Sequence, residues 1–519
     1  MMWSQLPIAH QFSSMFWLFT LLTILSLALA HFKSPSTING AVYEISTRPW
    51  LYELSQKYQR SIHSLDDVPD AEIQVIANMN MDMVYMMGVW QLGPSGLLHD
   101  RTDPGLINGF KRLLPDFTMD DVIGSPYAVV NYSTNSVIGG NGALTRFRYR
   151  LRKFGLRLML DFVPNHMATD TIFMSNLRYF IRCPPGWDCP SSEYLRNGVA
   201  YGKDPYSGAW TDTAQLNYWD QETIKLQIQN LLTVASYADG IRVDMAMLLL
   251  NDVIEMTWGN HMKDLGYSKP RVEFWESAIK EVKKQFPDCL FLAEQYWYKE
   301  EELLGLGFDS VYDKDGMYEA LKSGDLDNIR GLVWGRKSHM IHFAHFVENH
   351  DEERAVVSFG SATRSIGAAL VSFTLPGLKF HHHGQWEGKR NRLDVHLRRS
   401  ASEAVDKAVS QWYNNYLTSD LSIFKTGKFS PVAVQGTSDC WRLLSWKWTL
   451  DSDLVLVVVN YSDNSGSGKI SLDIAGETIR FYDVLTGNYW DWSGKDVRSG
   501  EFIAVIEAWN AQIFKVYSV

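Results

Sequence analysis

The sequence predicts an α/β protein, a (β/α)8 barrel with a small domain inserted after the third strand and an antiparallel β domain at its C-terminus. Three observations predict this. A short, continuously apolar run at residues 83–90 has the uniform hydrophobicity of a parallel strand covered on both faces, and residues 156–162 read as another strand. Strand and helix patterns alternate eight times up to about residue 424, the order of a closed α/β barrel. Beyond Lys425 the chain changes to short strands split by Gly, Ser and Asp turns.

The expected organisation is a leader over residues 1–30, a barrel over 31–424 with an insert at about 167–217, and a β-sandwich over 425–519. Residues 15–30 are apolar and end in Ala28-Leu29-Ala30, an A-x-A cleavage pattern before His31. The first fourteen residues contain no Lys or Arg, so an uncleaved membrane anchor is the competing reading. Both readings export the remainder, and contact with a membrane follows only from the second.

Residues 41–51 read as the first strand. Residues 67–79 read as a helix, with Ile73, Ile76 and Met79 on one face. The apolar strand 83–90 ends at Gly93-Pro94, Gly124-Ser125-Pro126-Tyr127 is a turn, and 142–154 is a helix with a basic outer face. The strand 156–162 leads into Val163-Pro164-Asn165-His166. From 167 to 217 there is little periodicity and much Pro and Gly, too long for an ordinary connection. A helix over 222–237 precedes the strand Ala238-Asp239-Gly240-Ile241-Arg242-Val243-Asp244-Met245, and strands at 290–293, 308–312, 343–347 and 378–382 complete the barrel. In the C-terminal domain, 454–460, 469–474, 477–484 and 502–507 read as strands, with a turn at 462–468.

Composition narrows the function. The chain has 519 residues, 46% of them hydrophobic, and a net charge of −10 without an extended basic face, which argues against nucleic-acid binding. Export makes cysteine usage informative: Cys183 and Cys189 bracket a loop short enough for one disulfide. Cys289 reads as an inert core thiol, and Cys440 has no evident partner. Asn131 and Asn460 lie in Asn-x-Ser sequons.

Arg242 and Asp244 are two residues apart, so on a strand they share a face, where the guanidinium holds the carboxylate ionised and oriented. Alone, the pair reads as a structural ion pair. Asp161 and His166, Glu294, and His350-Asp351 change that reading, because each stands at the C-terminal end of a different strand, the face where barrels build active sites. The carboxylates Asp244, Glu294 and Asp351 would converge there.

Asp161-Phe-Val-Pro-Asn-His166, Gly240-Ile-Arg-Val-Asp244, Ala293-Glu294 and Phe346-Val-Glu-Asn-His-Asp351 resemble, in order, the four signature regions of the α-amylase family, glycoside hydrolase family 13. The resemblance extends from about residue 41 to 519. It implies that Asp244 is the nucleophile, Glu294 the acid/base with a raised pKa, and Asp351 a ligand of sugar hydroxyls in the transition state. His166 and His350 resemble the histidines that bind the sugar undergoing reaction, and Tyr127 resembles the ring on which that sugar stacks. Arg242 would keep Asp244 charged, and Asp161 would order Arg242 and the loop.

The departures are also informative. Where many members carry a Lys-His pair facing the leaving sugars, this chain has Met247 and Leu248. No cofactor is required. A structural calcium would use Asn165, but the segment expected to supply an Asp reads Ala214-Gln215-Leu216-Asn217, one carboxylate short for a hard cation. His381-His382-His383 reads as loop, His339, His342 and His345 as no metal site, the basic stretch 389–399 as a solvated face, and Gly384-Gln385-Trp386-Glu387 as without a catalytic role.

The resulting expectation is a secreted, retaining α-glycosidase acting on starch-like α-glucans or maltooligosaccharides. The alternatives are an α-glucan transglycosidase, and a silent, membrane-anchored homologue that partners an amino-acid transporter.

Overall fold

The computed structural model describes residues 38–336, 339–420 and 422–519. The apolar leader lies outside them. Eight parallel strands close into a barrel in sequence order: β1 (Ala41–Ser46), β2 (Met83–Met87), β3 (Arg157–Phe162), β4 (Gly240–Val243), β5 (Leu290–Ala293), β6 (Ser310–Tyr312), β7 (Phe343–His345) and β8 (Leu378–His382). Val42 lies opposite Met83, Met159 opposite Gly240 and Arg242 opposite Leu292, and Ala41 opposite Lys379 closes the ring. Gly240 is dictated by packing. A Cβ there would stand 3.1 Å from the Met83 sulfur and 3.2 Å from the Met159 terminal methyl.

Helices cover the barrel with one apolar stripe each. Helix Phe274–Gln285 buries Phe274, Trp275, Ala278, Ile279 and Val282 and turns its lysines outward. Asp220 caps Gln221–Tyr237 by accepting from the Glu222 amide at 2.8 Å. Among the described residues no helix is long and apolar enough to cross a membrane.

Between β3 and β4 the ribbon His166–Ala168 with Thr213–Gln215 encloses loops and short 3-10 turns, and Cys183 and Cys189 are joined by a disulfide. At the C-terminus a six-stranded antiparallel sheet faces the ribbon of Gly466–Ile470 and Phe502–Ile506. Leu456, Val458, Phe481, Phe502 and Phe514 fill the space between them.

Several local expectations give way to packing or capping. The strand expected over 41–51 ends at Ser46, and helix Thr47–Tyr58 follows with Pro49 in its first turn, where a fixed φ and a missing N–H cost nothing. The run 83–90 breaks at Gly88 (φ +77°), and Trp90–Leu92 pairs antiparallel with Val129–Thr134. Helices Pro94–Thr102 and Pro104–Leu113, each with Pro at its start, occupy the stretch between Gly93 and the turn at Gly124.

His381 and His382 belong to β8 and are buried, not loop. His382 Nδ1 lies 3.0 Å from Glu348, which also binds Arg354 at 2.7 Å. The basic stretch 389–399 is not a solvated face either: Arg399 grips the buried Asp121 and the exposed Asp116, and Lys389 bonds Glu53 at 2.8 Å. Asn460 is fully buried, its amide donating to the carbonyls of Asn464 and Ile506, so the folded chain cannot carry a glycan there. Cys289 is buried, and burial pushes its thiol up to about 12.

Candidate active site

Strand alternation aims Arg242 into the barrel, where it is fully buried between the rings of Tyr127 and Tyr312, 5.6 and 5.8 Å from their centroids. Its Nη1 reaches Asp161 Oδ1 at 3.1 Å and Asp244 Oδ1 at 3.0 Å, and its Nη2 stands 2.8 Å from Glu294 Oε2. One guanidinium thus serves three buried carboxyl groups from three neighbouring strand ends. Asp161 is fixed from below by the Tyr85 hydroxyl at 2.7 Å. Glu294 is fixed from above: the Met245 amide donates to Oε2 at 2.6 Å and the Tyr296 hydroxyl to Oε1 at 2.9 Å.

Across the opening, His350 lies between Glu44 Oε1 on Nδ1 at 2.6 Å and Asp351 Oδ2 on Nε2 at 3.0 Å. The Tyr127 hydroxyl is 2.6 Å from the same Nε2, and the two rings stack. Asp351 keeps 40% of its side chain exposed, on the open side. His166 is buried behind Trp210 of the insert, ring centroids 5.3 Å apart. Tyr127, His166, Asp244, Glu294, His350 and Asp351 all line one cavity of about 560 Å³.

The electrostatics differ from the simple expectation that Arg242 keeps Asp244 charged. Burial and then the negative charge of Glu294 push the Asp244 carboxyl above the usual carboxylate range, and Arg242 offsets only part. The physical reason is the sharing: one positive charge cannot neutralise three acids at ion-pair distance. Burial works against charge on His350, but Asp351 and Glu44 outweigh it and raise this histidine well above its ordinary value. Burial lowers His166 to about 4, so it is neutral.

Asn165 is also buried. Gln215 Nε2 donates to both its backbone oxygen and its Oδ1, each at 2.9 Å, and Asn165 Nδ2 lies 3.3 Å from Gln215 Oε1. The oxygens that a calcium ion would need are taken by an amide N–H donor. Among the described residues no group of three or more His, Cys, Asp or Glu side chains is arranged to hold a metal.

Sequence reasoning missed Glu44, Tyr85, Tyr296 and Trp210. Glu44 left a signal, a lone charge in an apolar strand. Trp210, in the loop-rich insert, left none. Met247 and Leu248 are buried in the 3-10 turn Ala246–Leu249 and face no solvent.

No family model matches the chain. The α-amylase MalA of Haloarcula japonica is 25% identical over 368 residues, 68% of this chain and 49% of that protein. Alpha-amylase 3 of Dictyoglomus thermophilum is 22% identical over 289 residues, 50% and 53% of the two chains. This chain therefore spans about half the length of these relatives. Among solved structures, an Anoxybacillus α-amylase matches with a TM-score of 0.65 at 16% identity, covering 93% of this chain and 99% of its own. The α-amylase of Geobacillus thermoleovorans complexed with acarbose matches at 0.64 and 15%, with the same coverage. The chain is thus similar in sequence to two α-amylases and shares with solved α-amylase structures a fold of a closed eight-stranded parallel barrel and a C-terminal antiparallel sheet.

Proposed function

We propose that this chain is a retaining α-glycosidase that hydrolyses α-glucosidic bonds of starch-like glucans or maltooligosaccharides. One observation carries the reading: Asp244 and Glu294 are bridged by the two terminal nitrogens of a single guanidinium at the floor of the cavity. A shared guanidinium supports the close carboxyl pair of a double displacement, whereas an inverting pair needs a gap of roughly 6.5–9.5 Å for water.

Arg242 holds Asp244 Oδ1, which leaves Oδ2 to attack the anomeric carbon. The C–O bond to the leaving sugar breaks as its oxygen takes a proton from Glu294. Glu294 Oε2 is engaged by Met245 and Arg242, which leaves Oε1, where the Tyr296 hydroxyl donates, as the oxygen that passes the proton to the leaving sugar. In the second half Glu294 removes a proton from water, which attacks the glycosyl ester and frees Asp244. Asp351 and the charged His350 bind hydroxyls of the distorted sugar, and Tyr127 carries its apolar face.

The catalytic form holds one proton on the Asp244–Glu294 pair. Asp244 attacks only when ionised, and burial and Glu294 push its carboxyl up to about 8, so kcat/KM should rise with pH towards 8. A pH–rate profile flat to pH 10 would contradict this assignment.

The amide of Gln215 takes the place of a cation beside Asn165, so the fold holds without calcium. EDTA should leave the melting temperature unchanged, and Gln215→Asp should make it rise on addition of calcium. A large loss of stability in EDTA for the wild type would overturn this. The disulfide of Cys183 and Cys189 supports action outside the cytosol.

The test is digestion of maltoheptaose. Shorter sugars alone indicate hydrolysis, and longer oligomers indicate transfer through the same intermediate. No turnover of maltoheptaose, isomaltose, sucrose or trehalose would defeat the proposal in favour of a catalytically silent homologue.

A further inference from the structure

Three segments outside the four signature regions line the catalytic cavity together with Ser125 and Tyr127. They are helix Pro94–Thr102 with His99 and Asp100, residues 209–213 of the insert, and the loop after β8 with His396.

Hydrogen bonds join these segments into one rim. The Thr211 hydroxyl lies 2.7 Å from His99 Nε2, and His99 Nδ1 lies 3.0 Å from Asp100 Oδ1. Asp100 is fully buried, and its Oδ2 accepts from the amide of Ser125, two residues before Tyr127, at 3.0 Å. On the other flank the Ile123 amide donates to the His396 carbonyl at 2.8 Å, and Leu397 pairs with Val122. The rim thus runs from the insert, through the helix and the loop of Tyr127, to the loop after β8.

The rim turns polar groups to the cavity. Asp394 holds His396 Nδ1 at 2.7 Å, which leaves Nε2 as the ring nitrogen that a ligand can use. Asp212 lines the same wall. Burial and then Asp100 push its carboxyl above the ordinary carboxylate range, while its own backbone, His396 and His99 offset part. Burial opposes charge on His396, but Asp394, Asp100 and Asp212 raise it above its ordinary value. A carboxyl acceptor and an imidazole donor therefore share one electrostatic neighbourhood at this end of the cavity.

We propose that the rim closes the glycone side of the cavity, so that the protein takes α-glucan chains by their non-reducing ends, with Asp212 and His396 binding hydroxyls of the terminal glucosyl unit. The inference rests on the α-glycosidase reading, because Glu294 defines the leaving side and Tyr127 the sugar that is transferred. Size agrees: about 560 Å³ falls among pockets of roughly 300–1,000 Å³ that enclose a small ligand. The chemistry agrees too. A terminal glucosyl unit carries a free O4 hydroxyl, which both donates and accepts, whereas O4 of an interior unit is an ether oxygen that cannot donate. A site built around a hydroxyl strands its buried acceptor when that hydroxyl is missing, and so discriminates strongly.

The test compares maltoheptaose with maltoheptaose capped at its non-reducing end by an ethylidene acetal across O4 and O6. Consumption of each is followed by chromatography. The wild type should consume the free chain with a kcat/KM at least tenfold that for the capped one. In the double variant His99→Ala/Thr211→Ala, which parts the insert from the helix, this ratio should fall at least fivefold. A wild-type ratio below tenfold, or a smaller fall in a folded double variant, would overturn the inference. Melting curves show whether the variant folds, and if it does not, the wild-type ratio decides alone. If the wild type consumes neither chain, the α-glycosidase reading fails, and the rim is then read by calorimetric titration of the same two chains. Binding of the free chain at least fivefold tighter than the capped one upholds closure, and a smaller difference refutes it.

Discussion

Asp244→Asn is expected to lower turnover of maltoheptaose by about four orders of magnitude or more, the scale seen when a covalent nucleophile is removed. The same change should raise thermal stability. The Asp244 carboxyl lies above its ordinary range in the fold because of burial and Glu294, so its folded pKa exceeds its unfolded value. A raised acid contributes stability that is full below the unfolded pKa and is lost as pH rises through the folded one. Removing the charge should therefore stabilise the protein by an amount that grows from about pH 4 to pH 8 and then levels. Melting curves of both proteins across that range test this. A variant that is both inactive and less stable at pH 8 would mean that Asp244 is structural.

Arg242→Met should be the most destabilising single change in the site. The guanidinium is fully buried and stands within 3.1 Å of Asp161, Asp244 and Glu294. Removing one partner of a buried ionic cluster typically costs about 3–5 kcal/mol, because the remaining charges are stranded. Here three acids lose their common partner and must take up protons. Arg242→Lys should recover little, since an ammonium is a compact point charge and cannot span three carboxyl groups as the planar fork does. Urea unfolding at pH 7 measures the loss. Wild-type stability in Arg242→Met would show that the acids already sit protonated and that the ion pairs drawn here do not hold.

His350 supplies a milder pH effect of opposite origin. Its folded pKa is raised by Asp351 and Glu44, so it contributes stability that is complete below the free histidine value and declines as pH rises through the folded value. Glu44→Gln should move the imidazole titration to lower pH, which NMR of the ring reads directly. An unmoved titration would remove Glu44 from the account.

The barrel was legible because its strands are covered on both faces and read as short, mostly apolar runs alternating with helices. Residues 290–293 and 378–382 match β5 and β8 to the residue. The ends of strands were less legible. Residues 47–51 are as apolar as what precedes them, and only Pro49, as a first-turn residue, marks the change to helix. Asp244, Glu294 and Asp351 could be picked out because charges interrupt apolar strand ends.

The contacts of the supporting groups were harder to read, because several of them form only across long separations. Glu44 meets His350 306 residues away, and Asn165 meets Gln215 50 residues away. Asn460 shows the same limit from the other side: a sequon is local, but burial under Ile506 is not.

The stereochemistry of the first product tests the central claim most directly. Maltoheptaose is cleaved by the wild type in an NMR tube, and the anomeric proton of the newly released reducing end is followed before mutarotation. The double displacement through Asp244 predicts that the α-anomer appears first and the β-anomer grows in later. A β-anomer at the earliest time would mean direct attack by water, and Asp244 and Glu294 would then not be a nucleophile and its acid/base.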